Sequence, residues 1–187
     1  MQIDTTAVAD VLILTPRRFG DDRGWFSEVY RDDVFREAAG DVTFVQDNQS
    51  LSRAAGTVRG LHFQRHPKAQ GKLVRCVRGA LLDVAVDIRV GSPTFGRHVA
   101  VELSADNGRQ LWLPVGFAHG FCSLQPDTEI LYKVTDTYSA ADDGGILWDD
   151  PDLGIAWPVA PDAAVLSEKD RRLPRLSELP PLFPYRS

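Results

Sequence analysis

The chain has 187 residues, 43% of them hydrophobic, which is enough for one globular domain that buries a single core. Its formal net charge of −5 and pI near 5.3 exclude the broad basic surface that attracts nucleic acids or anionic membranes. An anionic ligand would have to be met by a local cluster of arginine and lysine, which indicates a small ligand.

Short runs with β-strand character predominate along the chain. Turns such as those at 91–93 and 106–108 separate them at roughly the 8–12-residue spacing of β-sandwiches and barrels. One helix is predicted at Asp32 to Ala39, with acidic residues at its start and Gly40 as its C-terminal cap. The pattern predicts one all-β domain over residues 1–187. The predicted strands are Trp25 to Tyr30, Thr43 to Gln46, Thr57 to Phe63, Lys72 to Val77, Ala80 to Ile88, His98 to Leu103, Gln110 to Leu113 and Glu129 to Val134.

The C-terminal part of the chain, after Trp148, is rich in proline, which prevents long regular elements. We expect residues 159–187 to form a tail that wraps around the barrel.

The two cysteines, Cys76 and Cys122, lie in apolar stretches, which favours buried thiols in a reducing compartment over a disulfide. No basic region precedes the first apolar run, and no apolar run is long enough to span a membrane, so a cytoplasmic location is expected.

The predicted strand from Leu81 to Arg89 alternates between apolar and polar residues. Leu82, Val84, Val86 and Ile88 share one face, while the other face carries two aspartates. The polar face either lines a cavity inside a barrel or is a solvated outer face, and the alternation is compatible with both.

Two segments carry the glycine and histidine framework of the cupin motifs. The first begins with G-T-V-R-G-L-H at 56–62 and ends at Gly79, and the second reads G-R-Q-L-W-L-P-V-G-F-A-H-G-F-C-S at 108–123. The chain thus resembles the cupin superfamily. That resemblance implies a cupin-type double-stranded β-helix, or jelly-roll barrel, with a few short peripheral helices.

A metal-binding cupin carries three histidines and a glutamate at four positions, which here hold His62, Gln64, Lys72 and His119. Two ligands are missing, and a lysine ammonium repels a divalent cation, so no metal and no cofactor are expected. Lys72 is instead suited to stabilise an oxyanion, and His62 is free to act as a general base. The carboxylate that orients His62 is left open among Asp83, Asp87 and Asp170.

A closer resemblance extends over nearly the whole chain. Ordered matches identify it as similar to the dTDP-4-dehydrorhamnose 3,5-epimerase family. They include F-G-D-D-R-G-W-F-S-E at 19–28, F-V-Q-D-N-Q-S at 44–50, V-R-G-L-H-F-Q at 58–64, Q-G-K-L-V-R at 70–75, V-D-I-R-V-G-S-P-T-F-G at 86–96, P-V-G-F-A-H-G-F at 114–121, L-Y-K at 131–133, W-D-D-P-D-L-G-I-A-W-P at 148–158 and L-S-E-K-D at 166–170.

The resemblance implies a cofactor-independent isomerase that converts dTDP-4-dehydro-6-deoxyglucose to dTDP-4-dehydrorhamnose by moving the protons at C3 and C5. It implies that His62 is the base, supported by Asp170. Lys72 would stabilise the enolate, and Tyr132 would deliver a proton to the opposite face of the sugar. A base and an acid on opposite faces produce inversion.

The resemblance also implies a substrate-binding set in which Tyr138 stacks on thymine. Arginine forks suit phosphate oxygens, and an aromatic face suits a base ring. The remaining implied substrate-binding residues are Arg23, Glu28, Gln46, Asp47, Asn48, Arg59, His119, Asp143 and Lys169.

Two positions depart from the simplest interpretation of that resemblance. Asp143 stands where the family often has glutamate, which makes its contact less secure, and the segment 65–69 falls in a stretch of variable length and receives no role. Strict strand alternation also places Arg59 and His62 on opposite faces. Either Gly60 marks a bulge that redirects one of them, or Arg59 lies at the rim of the barrel.

Several functions stay open. A monoepimerase that inverts only C3 or only C5 needs the same residues, whereas a metal-dependent cupin lacks its ligands here. A non-catalytic sugar-binding cupin would not need His62, Lys72, Tyr132 and Asp170 together. The resemblance further implies a homodimer with exchanged N-terminal strands, for which the apolar segment Val8 to Leu14 is suited.

Overall fold

A computed structural model describes residues 1–185 of the chain, and the last two residues of the predicted tail, 186 and 187, lie outside the described residues. No helix within 1–185 is long and apolar enough to cross a membrane. The elements in chain order are β1 (Gln2–Thr5), β2 (Leu12–Thr15), β3 (Arg18–Asp21), β4 (Gly24–Ser27), α1 (Asp32–Ala39), β5 (Gln46–Ser52), β6 (Val58–Gln64), β7 (Lys72–Arg78), β8 (Ala80–Asp87), β9 (Arg89–Val90), β10 (His98–Ser104), β11 (Gln110–Leu113), β12 (Phe117–Ser123), β13 (Thr128–Val134), β14 (Asp143–Gly145), the short 3-10 helices Asp170–Arg172 and Leu176–Glu178, and β15 (Phe183–Pro184).

Two antiparallel sheets form the barrel. One has the order β1-β2-β11-β7-β13-β5, and the other has the order β10-β8-β12-β6-β14. Apolar side chains of both sheets, such as Val74 and Leu111 from one and Ala85 and Phe121 from the other, pack together between them. The predicted all-β, cupin-type architecture is confirmed.

The alternation along β8 separates two environments. Val84, Val86 and Ile88 lie on the outer face of the five-stranded sheet, where the C-terminal segment covers them with residues such as Leu153 and Phe183. Asp83 belongs to the opposite face and is fully buried between the sheets. The polar face of this strand therefore lines the barrel interior, and the solvated alternative is wrong.

The six-stranded sheet is covered on its outer face by α1. Phe35 of α1 is buried against Trp112, with the two rings 5.1 Å apart, and Phe44 joins the same cluster. The helix begins and ends at the predicted residues, with Gly40 as its C-terminal cap at φ 85°. Because glycine adopts this left-handed conformation without strain, it ends the helix there.

Some predicted strand positions are wrong. The strand predicted at Thr43 to Gln46 instead begins at Gln46, because Phe44 turns into the aromatic cluster rather than into the sheet. The strand predicted at Trp25 to Tyr30 ends at Ser27. The strand β12 was not predicted, since its glycine and its motif histidine interrupt the apolar pattern.

The N-terminal segment packs within its own chain in this structure. Val8 and Val11 are buried in the core between the sheets, and β2 pairs with β11. The hairpin β3–β4 is different, because its aromatic residues Phe19, Trp25 and Phe26 are exposed.

Candidate active site

A cavity opens between the two sheets and is closed on one side by the segment 165–170. Its main part has a volume of about 460 Å³, and an adjoining part of about 280 Å³ extends toward Tyr138. We call the two together the basin. The predicted site residues that line it are His62, Lys72, Tyr132, Asp170, Arg59, His119, Gln46, Asn48, Tyr138, Asp143 and Lys169.

The two sheets supply different chemistry to the basin. The five-stranded sheet provides His62 on β6 and His119 on β12, which lie directly opposite each other in the strand ladder. The six-stranded sheet provides Lys72 on β7 and Tyr132 on β13. A ligand between the sheets therefore meets the histidines on one wall and the lysine and tyrosine on the other.

A bulge at Gly60 directs both Arg59 and His62 into the basin. The ladder pairs His119 with His62 but Phe121 with Arg59, so two residues of β6 oppose one residue of β12. Gly60 has φ 123°, and a Cβ there would lie 2.5 Å from Cα of Gly120, so only glycine fits. The bulge, rather than a rim position of Arg59, resolves the conflict with strict alternation.

Asp170 is the carboxylate that contacts His62. The distance between Nε2 of His62 and Oδ1 of Asp170 is 2.7 Å, and the Asp170 side chain is almost fully buried. Burial raises the pKa of Asp170, but the hydrogen bonds with His62, the backbone N–H of Gly60 and Ser167 outweigh it and hold the pKa below its usual value. Asp170 is thus ionised and fixes the orientation of the imidazole ring.

Lys72 is a buried cation in the wall of the basin. Its ammonium donates a hydrogen bond to the backbone oxygen of His62 at 3.3 Å. Burial lowers the pKa of Lys72 from 10.5 to about 8, although the negative charges of Asp83 and Asp143 act in the opposite direction. At neutral pH the group is still mainly charged, which suits it to stabilise an oxyanion.

The positive charge of Arg59 acts on the phenol of Tyr132 in the basin. Burial raises the pKa of Tyr132, and the positive charge of Arg59 only partly counteracts this effect. The phenol therefore stays protonated at neutral pH and is able to donate a proton. Arg59 is held by Ser52 Oγ at 3.2 Å and by the backbone oxygen of Leu51 at 3.0 Å.

His119 has its own carboxylate partner, which is Asp83. Nε2 of His119 lies 2.7 Å from Oδ1 of Asp83, and both side chains are buried. Asp83 was one of the three candidates for orienting His62. The structure assigns it to His119 instead, while Asp87 bonds with Arg89, Ser92 and Thr94 outside the basin.

The rim of the basin consists of polar residues around Tyr138. Gln46 accepts a hydrogen bond from the Tyr138 backbone N–H at 3.0 Å and donates one to Asn48 at 2.8 Å. Asp143 forms an ion pair with Lys169 and lies 3.4 Å from the Tyr138 hydroxyl. The shorter aspartate thus still contacts both the aromatic residue and the lysine.

Three predicted substrate-binding residues lie away from this basin. Arg23 is exposed on the β3–β4 hairpin and pairs with Asp21. Glu28 lies 3.9 Å from Arg31. Asp47 points to the opposite face of β5 and pairs with Lys133 at 3.0 Å. Their substrate contacts stay predictions.

Other residues that line the basin were not predicted, among them Ser50, Phe121, Ser167 and Gln64. Ser50 shares a face of β5 with Gln46 and Asn48, so the alternation of that strand was a usable signal.

Gln64 stands at a ligand position of metal-binding cupins, and the sequence assigned it no role. Its amide oxygen accepts a hydrogen bond from the Ser139 backbone N–H at 2.8 Å, and the Lys72 ammonium occupies another ligand position, so this donor set does not suit a divalent metal.

The barrel, the two histidine–aspartate pairs and the lysine and tyrosine on the facing wall define a cupin-type enzyme equipped for proton transfer. The family described as dTDP-4-dehydrorhamnose 3,5-epimerase matches residues 5–178. The chain belongs to this family, and it is an isomerase.

Known proteins resemble the chain over most of its length. A dTDP-4-dehydrorhamnose 3,5-epimerase of Sinorhizobium fredii is 60% identical over 99% of this chain and 94% of the relative. The crystal structure of a Legionella pneumophila dTDP-6-deoxy-D-glucose-3,5-epimerase, in complex with dTDP-4-keto-L-rhamnose, has a TM-score of 0.94 and 42% identity, covering 100% and 99% of the two chains. A 3'-monoepimerase of Streptomyces bikiniensis, in complex with dTDP-quinovose, has a TM-score of 0.85 and 37% identity, covering 92% and 87%.

Proposed function

We propose that this protein epimerises dTDP-4-dehydro-6-deoxy-D-glucose at C3 and C5 to give dTDP-4-dehydro-L-rhamnose, in the synthesis of dTDP-L-rhamnose. The observation that carries the proposal is the His62–Asp170 pair on one wall of the basin, facing Lys72 and Tyr132 on the other. The 60% identity to a curated 3,5-epimerase supports the same activity.

In the proposed mechanism, His62 removes the proton from the carbon next to the ketone. The electron pair moves into the C–C bond as the carbonyl becomes an enolate, and the Lys72 ammonium stabilises the oxyanion. Tyr132 then returns a proton to the same carbon from the other side, which inverts it. His62 then releases its proton to solvent and Tyr132 regains one from solvent. Rotation of the sugar brings the second carbon to His62, and the same steps repeat.

The remaining basin residues hold the nucleotide. Arg59, His119 and Lys169 place positive or hydrogen-bonding groups beside the proposed position of the diphosphate and sugar, while Tyr138 at the exposed rim offers an aromatic face to thymine. Gln46, Asn48 and Asp143 surround that aromatic residue. A single inversion at C3, as in a monoepimerase, is the second candidate, because a monoepimerase structure shares the fold.

The test is exchange in deuterated water without added metal. The protein is incubated with dTDP-4-dehydro-6-deoxyglucose, and NMR follows deuterium at each sugar carbon. We expect deuterium at C3 and C5 together with the L-lyxo product, dTDP-4-dehydro-L-rhamnose. His62→Asn should reduce the rate by about 10²–10⁴-fold, as loss of a general base does. His98→Asn, on β10 away from the basin, is the matched control. Deuterium at C3 alone would identify a monoepimerase, and no exchange would exclude both epimerases.

We also propose that the protein is a homodimer in which the β3–β4 hairpin reaches the partner's basin. Phe19, Trp25 and Phe26 expose apolar surface on this hairpin, which is unfavourable in water unless a partner covers it. Arg23 and Glu28 lie at the same place, apart from the basin of their own chain. If the hairpin reaches the basin of the partner subunit, Arg23 and Glu28 make their predicted substrate contacts there. The two unpaired, buried thiols Cys76 and Cys122 favour a cytoplasmic location.

A mixing experiment tests this arrangement. His62→Asn and Arg23→Ala variants are each expected to have low activity, and they are unfolded and refolded together. If Arg23 acts in the partner's basin, half of the dimers carry one intact site, so activity returns to about a quarter of the wild-type value. No recovery, with dimers present by gel filtration, would place Arg23 in its own basin or outside the site. A monomeric elution profile at micromolar concentration would overturn the dimer.

A further inference from the structure

The loop that joins β13 to β14 carries Tyr138, whose side chain has little packing support. Its relative exposure is 61%, and its hydroxyl makes one long contact, 3.4 Å to Asp143. A ring so exposed is not held in place by a close-packed core. Its position depends on how firmly the backbone on either side of it is held.

Gln64 holds that backbone on both sides of Tyr138. Its side chain is buried at the end of β6, with a relative exposure of 4%. Its amide oxygen accepts a hydrogen bond from the Ser139 N–H at 2.8 Å, and its amide nitrogen donates to the Thr137 oxygen at 3.2 Å. The same nitrogen also donates to the backbone oxygen of Lys68.

This set of contacts requires an amide. Glutamine has two N–H donors and a carbonyl acceptor, and Gln64 uses both kinds of group. A glutamate has no donors and would place its charge against two carbonyl oxygens. A neutral histidine has one donor and one acceptor, so it leaves at least one of the three partly buried backbone contacts unmade.

The segment after Gln64 adds contacts to the same loop. The Lys68 ammonium lies 2.9 Å from a carboxylate oxygen of Asp136, and the Gln70 amide donates to the Asp136 backbone oxygen at 2.7 Å. The Gly71 N–H donates to Thr135 Oγ1 at 2.8 Å. The segment 65–69, which received no role from the sequence, thus belongs to the support of the Tyr138 loop.

We propose that Gln64 is a positioning residue that fixes the Tyr138 loop in the geometry needed to stack on the nucleobase. This inference rests on the proposed function, because it assumes a nucleotide in the rim of the basin. Gln64 acts on binding of the nucleoside part and leaves proton transfer to His62, Lys72 and Tyr132. It occupies the position of a metal ligand in metal-binding cupins and has a structural task there instead.

The first test measures ligand binding by calorimetry. Wild type, Gln64→Leu and Gln64→Asn are titrated with dTDP, and inorganic pyrophosphate serves as a ligand without a base. Loss of two or three hydrogen bonds should weaken dTDP binding by about tenfold, while pyrophosphate affinity stays within about twofold. Gln110→Leu is the matched control, because Gln110 is equally buried and donates to the backbone oxygen of Val29 away from the basin.

Steady-state kinetics add a second readout. The KM of Gln64→Leu should rise about tenfold and its kcat should stay within about twofold of wild type, because the lost interaction acts on uniform binding. Global destabilisation alone would lower the melting temperature without this selective change. Gln64→Asn keeps the amide but is one methylene shorter, so it provides a folded variant if Gln64→Leu aggregates.

A double-mutant cycle with Tyr138→Ala decides whether Gln64 acts through the tyrosine. In the Tyr138→Ala background, Gln64→Leu should change dTDP affinity by less than about twofold, because the group that it positions is gone. Additive effects, or equal losses for dTDP and pyrophosphate, would overturn the proposal. If Gln64→Leu binds dTDP as tightly as the wild type does, this inference alone is overturned. Failure of the wild type to bind dTDP would overturn the proposed function with it.

Discussion

Two aspartates on the same face of β8 have opposite surroundings. Asp87 is fully buried, and both of its oxygens are saturated. Oδ1 accepts from the backbone and side chain of Arg89, and Oδ2 accepts from Arg89, Ser92 and Thr94 at 2.6–2.7 Å. Asp83, equally buried, bonds to His119 through Oδ1, and its Oδ2 has no hydrogen-bond partner within residues 1–185.

The difference distinguishes a buried aspartate with a structural role, Asp87, from one that is connected to the active site, Asp83. Burial raises the pKa of Asp87, but its hydrogen bonds to Arg89, Ser92 and Thr94 outweigh burial and keep the pKa below its ordinary value. Such a saturated network stabilises a turn and has no capacity left for a ligand. Asp83 keeps an unused acceptor, bonds to the basin residue His119, and its charge acts on the buried Lys72. The buried aspartate with an unsatisfied oxygen is thus the one that bonds to a residue of the candidate active site.

Asp87→Asn is expected to have the largest effect on stability. It removes the charge that pairs with Arg89, whose side chain is only 13% exposed, and leaves Asp10 as the remaining partner. Breaking a buried ion pair in this way should lower the free energy of unfolding by about 3 kcal/mol. Urea denaturation measures the change, and kcat/KM of the folded fraction should be unaltered. A loss below about 1 kcal/mol would show that the network is not a structural element.

Lys72→Met should have the opposite sign on stability. The pKa of Lys72 falls from 10.5 to about 8 on folding, which corresponds to about 3 kcal/mol against the charged folded state. Because Asp83 then loses a favourable charge, the expected gain at pH 7 is about 1–2 kcal/mol, with epimerase activity nearly abolished.

The pH dependence provides the internal check on Lys72. A folded pKa below the unfolded pKa means that the unfolded state binds more protons between about pH 8 and 10.5, so wild-type stability contributed by this group rises over that range. Lys72→Met should lack this rise, whereas Lys133→Met, which removes an ion pair with Asp47, should retain it. Equal slopes in wild type and Lys72→Met would contradict the burial of a charged lysine.

Asp83→Asn is expected to have the smallest effect, and it is visible mainly in the pH–rate profile. Asp83 raises the pKa of Lys72 through its charge, so its removal lowers that pKa further. We expect Lys72 to produce an alkaline limb of kcat/KM near pH 8 in the wild type, and this limb should move to lower pH in Asp83→Asn. Asp87→Asn is the matched control and should leave the limb in place. A limb that moves equally in both variants would refute the distinction between the two aspartates.

Local sequence signals were sufficient for much of the fold. The helix Asp32–Ala39 follows from its acidic first turn and from Gly40, both of which act within one turn of the chain. The strands β7, β8, β10 and β13 were placed within one or two residues. The strand β12 was missed, and β5 was displaced, because pairing with neighbouring strands overrides weak local preference.

The candidate site divides in the same way. Short motifs contain His62, Lys72, His119 and Tyr132, and the resemblance of these motifs to known families implied both the barrel and proton-transfer chemistry. The contacts that hold these residues in place were harder to predict from the sequence. Asp170 lies 108 residues after His62 and reaches it because the C-terminal segment folds back over the basin. Gln64 received no role because its partners Thr137 and Ser139 lie more than 70 residues away.

Residue type and periodicity along the chain were enough to predict one all-β domain, and resemblance to known families implied the cupin-type barrel and the residues that exchange protons. Folding established which carboxylate bonds to which histidine, that Gly60 aligns Arg59 with His62, and that Asp83 keeps a free acceptor while Asp87 does not. The physical reason is that hydrogen bonding and burial are set by groups brought together from distant parts of the chain, and only the folded arrangement specifies them.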